Sequence, residues 1–295
     1  MKIHNIILTA IFVGLSFSSC SEKEDTLKPS KETIFPDLEK TIYDTQLENM
    51  FSQYNTRVEY RYIKNLLPND WYNITPIKES LIIPMSEFLI DYFVTPLEIS
   101  SNKELVIKTF PKKIVYVGSP AYKKDGSRVL GQAEGGTLIR FTECNDFNLN
   151  DKTWIRTTLR TAYHEYCHIL HQKFILPDEY RNITPDSYTR SGWRAVSQND
   201  AIRLGMVSPY ATNNVSEDFV ELYSFFITAT QEDVNYVFND EAITGITNPS
   251  VILAISKRNE GREFIRKKFL ILKKFLTDID IDINKTREEL QNKIN

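Results

Sequence analysis

The chain has 295 residues, enough for one large domain with a sizeable core. A net charge of -3 and the lack of any basic run exclude a phosphate-tracking nucleic-acid surface. With 15 Tyr and 17 Phe the chain is not disordered as a whole, so composition narrows it to a globular protein and no further.

Met1 and Lys2 open a short basic start, and Ile6 to Phe17 is an apolar run. At about 12 residues it is too short to span a bilayer comfortably and suits a secretory signal. Ser18, Ser19 and Cys20 follow. A small residue before a Cys resembles the bacterial lipobox, although Phe17 is bulkier than the residue usual there. The expectation is a lipoprotein signal peptide over 1–19 and lipidation of Cys20; an ordinary cleaved signal with an incidental Cys is the alternative. Residues 20–36 are polar and carry Pro29 and Pro36, so they read as a tether. Within them Ser21-Glu22-Lys23-Glu24-Asp25 resembles the surface-export signal of Bacteroidetes lipoproteins. That resemblance implies a lipid anchor on the outer membrane of a Gram-negative bacterium, with the protein facing outward. No later segment reads as a membrane span.

Residues 37–295 read as one domain. Leu38 to Phe51 has helical apolar spacing, and Arg57 to Tyr62 alternates as a strand. Ser86 to Phe93 reads as a helix capped by Ser86. Leu105 to Phe110 and Lys113 to Val117 are β-rich runs broken by Pro111. Gly118 to Gly136 reads as a loop, and Thr137 to Thr142 as a further strand. Helical spacing returns over Trp154 to Leu176, stopped by Pro177, and again over Ser216 to Thr230 and Gly261 to Leu276. Strands before a long central helix and helices after it make an α+β arrangement.

The central helix carries His164, Glu165 and His168, an HExxH motif. Residues four apart share a helix face, so both imidazoles can address one zinc ion at about 2.0–2.1 Å. Glu165 stands beside that line, where it can take a proton from a zinc-activated water. The remaining His of the mature chain is His171. It lies two turns beyond His164, an axial rise of about 10.5 Å, too far for a shared metal. The third ligand is therefore expected to be a carboxylate, with His171 supporting a ligand or the structure. Glu217 and Glu221 are four apart in a helical pattern, with Ser216 placed to cap it. One can ligate zinc while the other holds a ligand imidazole by its far nitrogen. The plain alternative is acidic enrichment of a helix N-terminus. Asp218 is rotated away. Cys144 and Cys167 can be joined in an exported protein, but Cys167, turned away from both histidines, reads better as a small buried apolar residue.

HEYCH followed by Tyr210-x6-Glu217-x3-Glu221 is similar to the gluzincin metallopeptidases, with a spacing like the catalytic domain of anthrax lethal factor. That resemblance implies Glu217 as third ligand, Glu221 as the partner behind a histidine, and Tyr210 as a donor to the oxyanion. Tyr54 to Tyr62, His164-Glu165-x-x-His168-x-x-His171-Gln172, Gly205 to Ala211 and Glu217 to Glu221 further resemble the zinc-binding metallopeptidase lipoproteins of Bacteroidetes. Thr56 and Val220 depart from the residues expected there, Ile and Ala. These are also described as substrate-import-associated zinc metallohydrolases. The resemblance implies a zincin-like fold, with a mixed sheet packed on the HExxH helix and a mainly helical C-terminal part. It implies one zinc per chain, and a TonB-dependent transporter with its surface lipoprotein as partners. In such a fold an edge strand beside the helix pairs with an extended peptide. Thr137 to Thr142 is the candidate, walled by the loop 118–136.

The leading expectation is thus a surface-anchored zinc peptidase acting on peptide or protein. The alternatives are a non-catalytic substrate-binding lipoprotein of a TonB-dependent uptake system, and a zinc hydrolase of a non-peptide amide.

Overall fold

The fold begins where Thr41 and Asp44 exchange hydrogen bonds across the first turn of α1 (Ile42–Phe51), a capping box that satisfies backbone donors left free at a helix start. The computed structural model describes residues 39–124, 126–129, 131–134 and 137–295. The expected signal peptide, Cys20 and the tether over 20–36 lie outside the described residues.

β1 (Arg57–Glu59) follows and is shorter than its alternating pattern predicts. Next come α2 (Glu79–Leu89) and α3 (Thr95–Ser100), joined through a wide turn at Ile90–Val94. Ser86 is no cap: it lies in mid-helix, bonded back to the Ile82 carbonyl at 2.8 Å and to the Tyr116 hydroxyl at 2.9 Å. Among the described residues Glu79–Ser100 is long and apolar enough to cross a membrane, which corrects the expectation that no later segment is. Its apolar side is spent inside the protein: Ile82, Met85, Leu89, Phe93, Val94 and Leu97 are fully buried in the core. Each such side chain contributes ~1.5–3 kcal/mol.

The run Leu105 to Phe110 is helix rather than strand, forming α4 (Lys103–Thr109). Asn102 caps it by accepting from the Glu104 amide, and Glu104 pairs with Lys108 one turn on. Local capping outweighs the mild β preference of Val106 and Ile107. β2 (Lys113–Tyr116) then enters the sheet. The segment read as a loop contains β3 (Ala121–Tyr122), β4 (Arg128–Val129) and β5 (Gly131–Glu134), and β6 (Leu138–Phe141) follows. The main sheet runs β1-β2-β6-β5, with β1, β2 and β6 parallel and β5 antiparallel to β6. β6 is therefore an inner strand, buried along its whole length, and the edges are β1 and β5. This corrects the edge-strand expectation for Thr137 to Thr142. Both faces of β6 are covered, with Leu138 and Arg140 on one and Ile139 and Phe141 on the other.

α5 (Lys152–Phe174) crosses the sheet, its start capped by Asp151. Ile114, Tyr116, Ile139 and Phe141 from the sheet share one core cluster with Leu159, Tyr163, Tyr166 and Leu170 from α5. Cys144 and Cys167 are both buried and unbridged.

The remainder is helical among the described residues: α6 (Asp178–Arg181), α7 (Gln198–Arg203), α8 (Val215–Thr228), α9 (Gln231–Phe238), α10 (Pro249–Asp278) and α11 (Ile283–Ile294). The cap of α8 is Asn214, not Ser216. Gly261 lets α10 press on α7, because a Cβ there would stand 1.9 Å from the Ile202 carbonyl oxygen. Residues Lys40–Asn295 make one unit, an α+β arrangement of a mixed sheet followed by helices.

Candidate metal centre

Two helices build the site. α5 turns its apolar stripe (Ile155, Leu159, Ala162, Tyr163, Tyr166, Leu170) into the core, which leaves Arg160, His164 and His168, spaced four apart, on one neighbouring stripe. On α8, Phe219, Val220, Leu222 and Tyr223 are buried and anchor that helix beside α5. Glu217 and Glu221 thereby face the α5 stripe.

The contacts form a ladder. Arg160 meets Glu221, His164 meets Glu221 and Glu217, and His168 meets Glu217. Rising numbers on one helix match falling numbers on the other, so α5 and α8 run antiparallel.

Glu217 Oε2 lies 3.2 Å from His164 Nε2 and 3.5 Å from His168 Nε2. It is buried and makes a hydrogen bond with neither. One ligand atom from each of His164, His168 and Glu217 fits within a 4.8 Å span. Tetrahedral zinc bonds of 2.0–2.1 Å hold neighbouring donors about 3.3 Å apart. The spacing, the two imidazole nitrogens and the orphaned carboxylate oxygen all fit a zinc ion as the missing partner.

The far nitrogens are already engaged. His164 Nδ1 sits 2.9 Å from Glu221 Oε1, and His168 Nδ1 sits 3.0 Å from His171 Nε2. These contacts fix both rings so that each Nε2 faces Glu217. The two supports differ in charge, one a carboxylate and one an imidazole. Burial and then the neighbouring His168 push His171 down to about 4, so it stays neutral near pH 7. His171 does not join the ligand atoms.

Electrostatics mark the centre as short of positive charge. Burial alone would lower the His164 pKa, but the carboxylates of Glu217 and Glu221 beside its two ring nitrogens reverse this and raise it to about 10. Glu217 behaves conversely: burial pushes it up, and His164 and His168 bring it down to about 2. Glu221 is also held below the carboxylate range, burial being outweighed by Arg160 and His164. Two carboxylates converging on the imidazoles in a buried site favour a cation there.

Tyr210 lies on the short turn Tyr210–Thr212, its ring stacked 6.0 Å from that of His164 at 29°. Burial, then the carboxylates of Glu217, Glu165 and Glu221, raise its pKa, so the phenol keeps its proton. Glu165 is buried on α5 beside His164. Asp218 turns the opposite way and meets Lys268 at 2.6 Å.

Three neighbours escaped the sequence reading. Arg160 and Ser208 both bond Glu221 Oε2, at 2.7 and 2.5 Å. Extending the i, i+4 pattern one turn before His164 would have found Arg160. Trp193 packs edge-on against Tyr210 at 4.9 Å, from a short 3₁₀ helix (Arg190–Ala195) whose sequence carries no apolar period.

The family described as "putative zinc-binding metallo-peptidase" matches residues 37–284. A crystal structure described as a putative zinc-binding metallo-peptidase from Bacteroides caccae superposes with a TM-score of 0.67. It shares 22% identity, over 87% of this chain and 95% of that one, a likeness of fold. No curated protein matches the chain. With a match spanning nearly all the described fold and the His-His-Glu group at its centre, this chain belongs to the putative zinc-binding metallo-peptidase family.

Proposed function

We propose that the chain is a zinc-dependent peptidase of zincin-like fold that holds one zinc ion on His164, His168 and Glu217. The observation that carries this is the orphaned Glu217 Oε2 beside two imidazole nitrogens whose opposite sides are already bonded. A bound zinc supplies Lewis acidity, polarising a carbonyl and easing the deprotonation of water.

The protein's own groups do the rest. Glu165, one residue after His164, accepts the proton of the attacking water and returns it to the departing amine. Tyr210 keeps its phenolic proton and donates it as a hydrogen bond to the oxygen that gains charge. β5, an outer strand of the sheet packed against α5, is the strand along which an extended peptide would pair. That pairing favours peptide over other amides as the substrate class.

The N-terminal sequence supports a further part of the reading. The lipobox-like Ser19-Cys20 and the acidic Glu22 to Asp25 favour a lipid-anchored protein on the outer membrane surface. There it would process peptides for a TonB-dependent uptake system.

The test is a peptide-library digest with zinc-loaded protein and Glu165→Gln as control. Removing a general base typically costs about 10²–10⁴ in rate. The expected result is cleavage by the parent chain, its loss in Glu165→Gln, and equal zinc in both. Undiminished cleavage by Glu165→Gln would refute the mechanism.

A further inference from the structure

We propose that Arg160 and Ser208 are positioning residues of the metal centre, acting through Glu221 on His164. The inference rests on the metal reading above and adds to it the groups that fix its most buried ligand.

A carboxylate behind a ligand histidine orients that ring only if the carboxylate itself cannot turn. Glu221 presents Oε1 to His164 Nδ1 at 2.9 Å, and its second oxygen decides whether that geometry is held. Two donors converge on it: Arg160 Nη2 at 2.7 Å and Ser208 Oγ at 2.5 Å. With both oxygens engaged, the carboxylate plane is set, and with it the direction of His164 Nε2.

The two donors come from different elements, which is why both matter. Arg160 stands one turn before His164 on α5, so the helix that supplies the ligand also supplies the clamp on its support. The Arg160 guanidinium rests against the Phe225 ring at 5.3 Å, which holds it on the α8 side. Ser208 precedes the turn that carries Tyr210 and accepts from the Ala211 amide at 3.2 Å. Glu221 is thus the junction of the metal helix, the carboxylate helix and the Tyr210 turn. A shift of any one of them reaches His164 through the same carboxylate.

The surroundings argue against a purely structural role. Arg160 keeps 32% of its side chain exposed and, with Ser208, borders a cavity of about 400 Å³ that also touches Gln198, Val207 and Tyr236. Cutting Arg160 short enlarges a space already present and creates no closed void in the core. The cost to the fold is then the charge left on Glu221 rather than lost packing, and Arg160→Lys, which keeps a positive charge beside it, separates the two.

The experiment uses the full mature chain and three variants, Arg160→Met, Arg160→Lys and Ser208→Ala. Zinc affinity is measured by competition with a chromophoric chelator, and the Co²⁺ visible spectrum and the urea midpoint of the metal-free chain are recorded. Loss of a group that orients a ligand typically weakens metal binding about 10–100-fold. Arg160→Met should show that loss and a changed Co²⁺ spectrum; its metal-free urea midpoint should fall as well, because the buried Glu221 loses a charged partner, so affinities are compared well below every variant's unfolding transition. Arg160→Lys should recover part of the affinity by restoring one charged N–H, and Ser208→Ala should lose several-fold. Parental affinity and spectrum in both Arg160→Met and Ser208→Ala would overturn the positioning role alone. A parent chain that takes up no zinc or Co²⁺ would overturn the metal reading and this inference with it.

Discussion

One helix, α8, carries two buried ionic clusters that solve opposite problems. Asp218 pairs with Lys268 of α10 at 2.6 Å, and each side chain is 1% exposed. Tyr188 donates to the same Asp218 oxygen at 3.0 Å, and Lys268 also donates to the Gly205 carbonyl at 2.9 Å. That cluster is closed, with each charge met inside the protein. One residue earlier, Glu217 leaves an oxygen without a hydrogen bond between two imidazoles. The helix pitch separates them, since neighbours in sequence point about 100° apart. Satisfaction on one face reads as architecture, and a missing partner on the other reads as a binding site.

The comparison can be broken from either side, and the larger effect belongs to the closed cluster. Lys268→Met strands a buried carboxylate and should cost about 3–5 kcal/mol of stability, read as a lower urea midpoint. Lys268→Met with Asp218→Asn should recover most of that cost, because neither charge is then left unpaired. A single variant as stable as the parent would show that the pair is not a structural clasp.

A smaller effect is expected from an ionic cluster near the surface. The Arg258 fork and, against a slight opposing burial, Arg262 hold the Glu241 pKa down to about 2. A depressed carboxylate stabilises the fold above its unfolded pKa of about 4.3 and loses that contribution as pH falls toward 2. Glu241 is only partly covered, so the gain near pH 7 should stay at about 1 kcal/mol or below. Thermal melts of Glu241→Gln should therefore trail the parent at pH 7 and coincide with it near pH 2. An equal gap at both values would remove the titration of Glu241 as the cause.

The difference between the clusters also explains what could be read without a structure. His164, His168, Glu217 and Glu221 sit on helices whose period is regular, so a four-residue spacing translates directly into a shared face. Asp218 was legible for the same reason, as the residue turned aside; its partner Lys268 lies 50 positions on, and no local pattern couples them. Strands were harder. The run over 105–110 became helix because Asn102 caps it, and β5 lay hidden in a Gly-punctuated stretch whose pairing with β6 is set by long-range contact. Trp193 reaches Tyr210 from a short 3₁₀ helix, where chain order says nothing of neighbourhood.

The central proposal is that Glu217 ligates a zinc ion together with His164 and His168. Metal content measured by mass spectrometry, after zinc loading and dialysis against a weak chelator, tests it directly on the parent and Glu217→Ala. The account predicts one zinc per parent chain and almost none in Glu217→Ala. Equal zinc in both proteins would contradict the assignment.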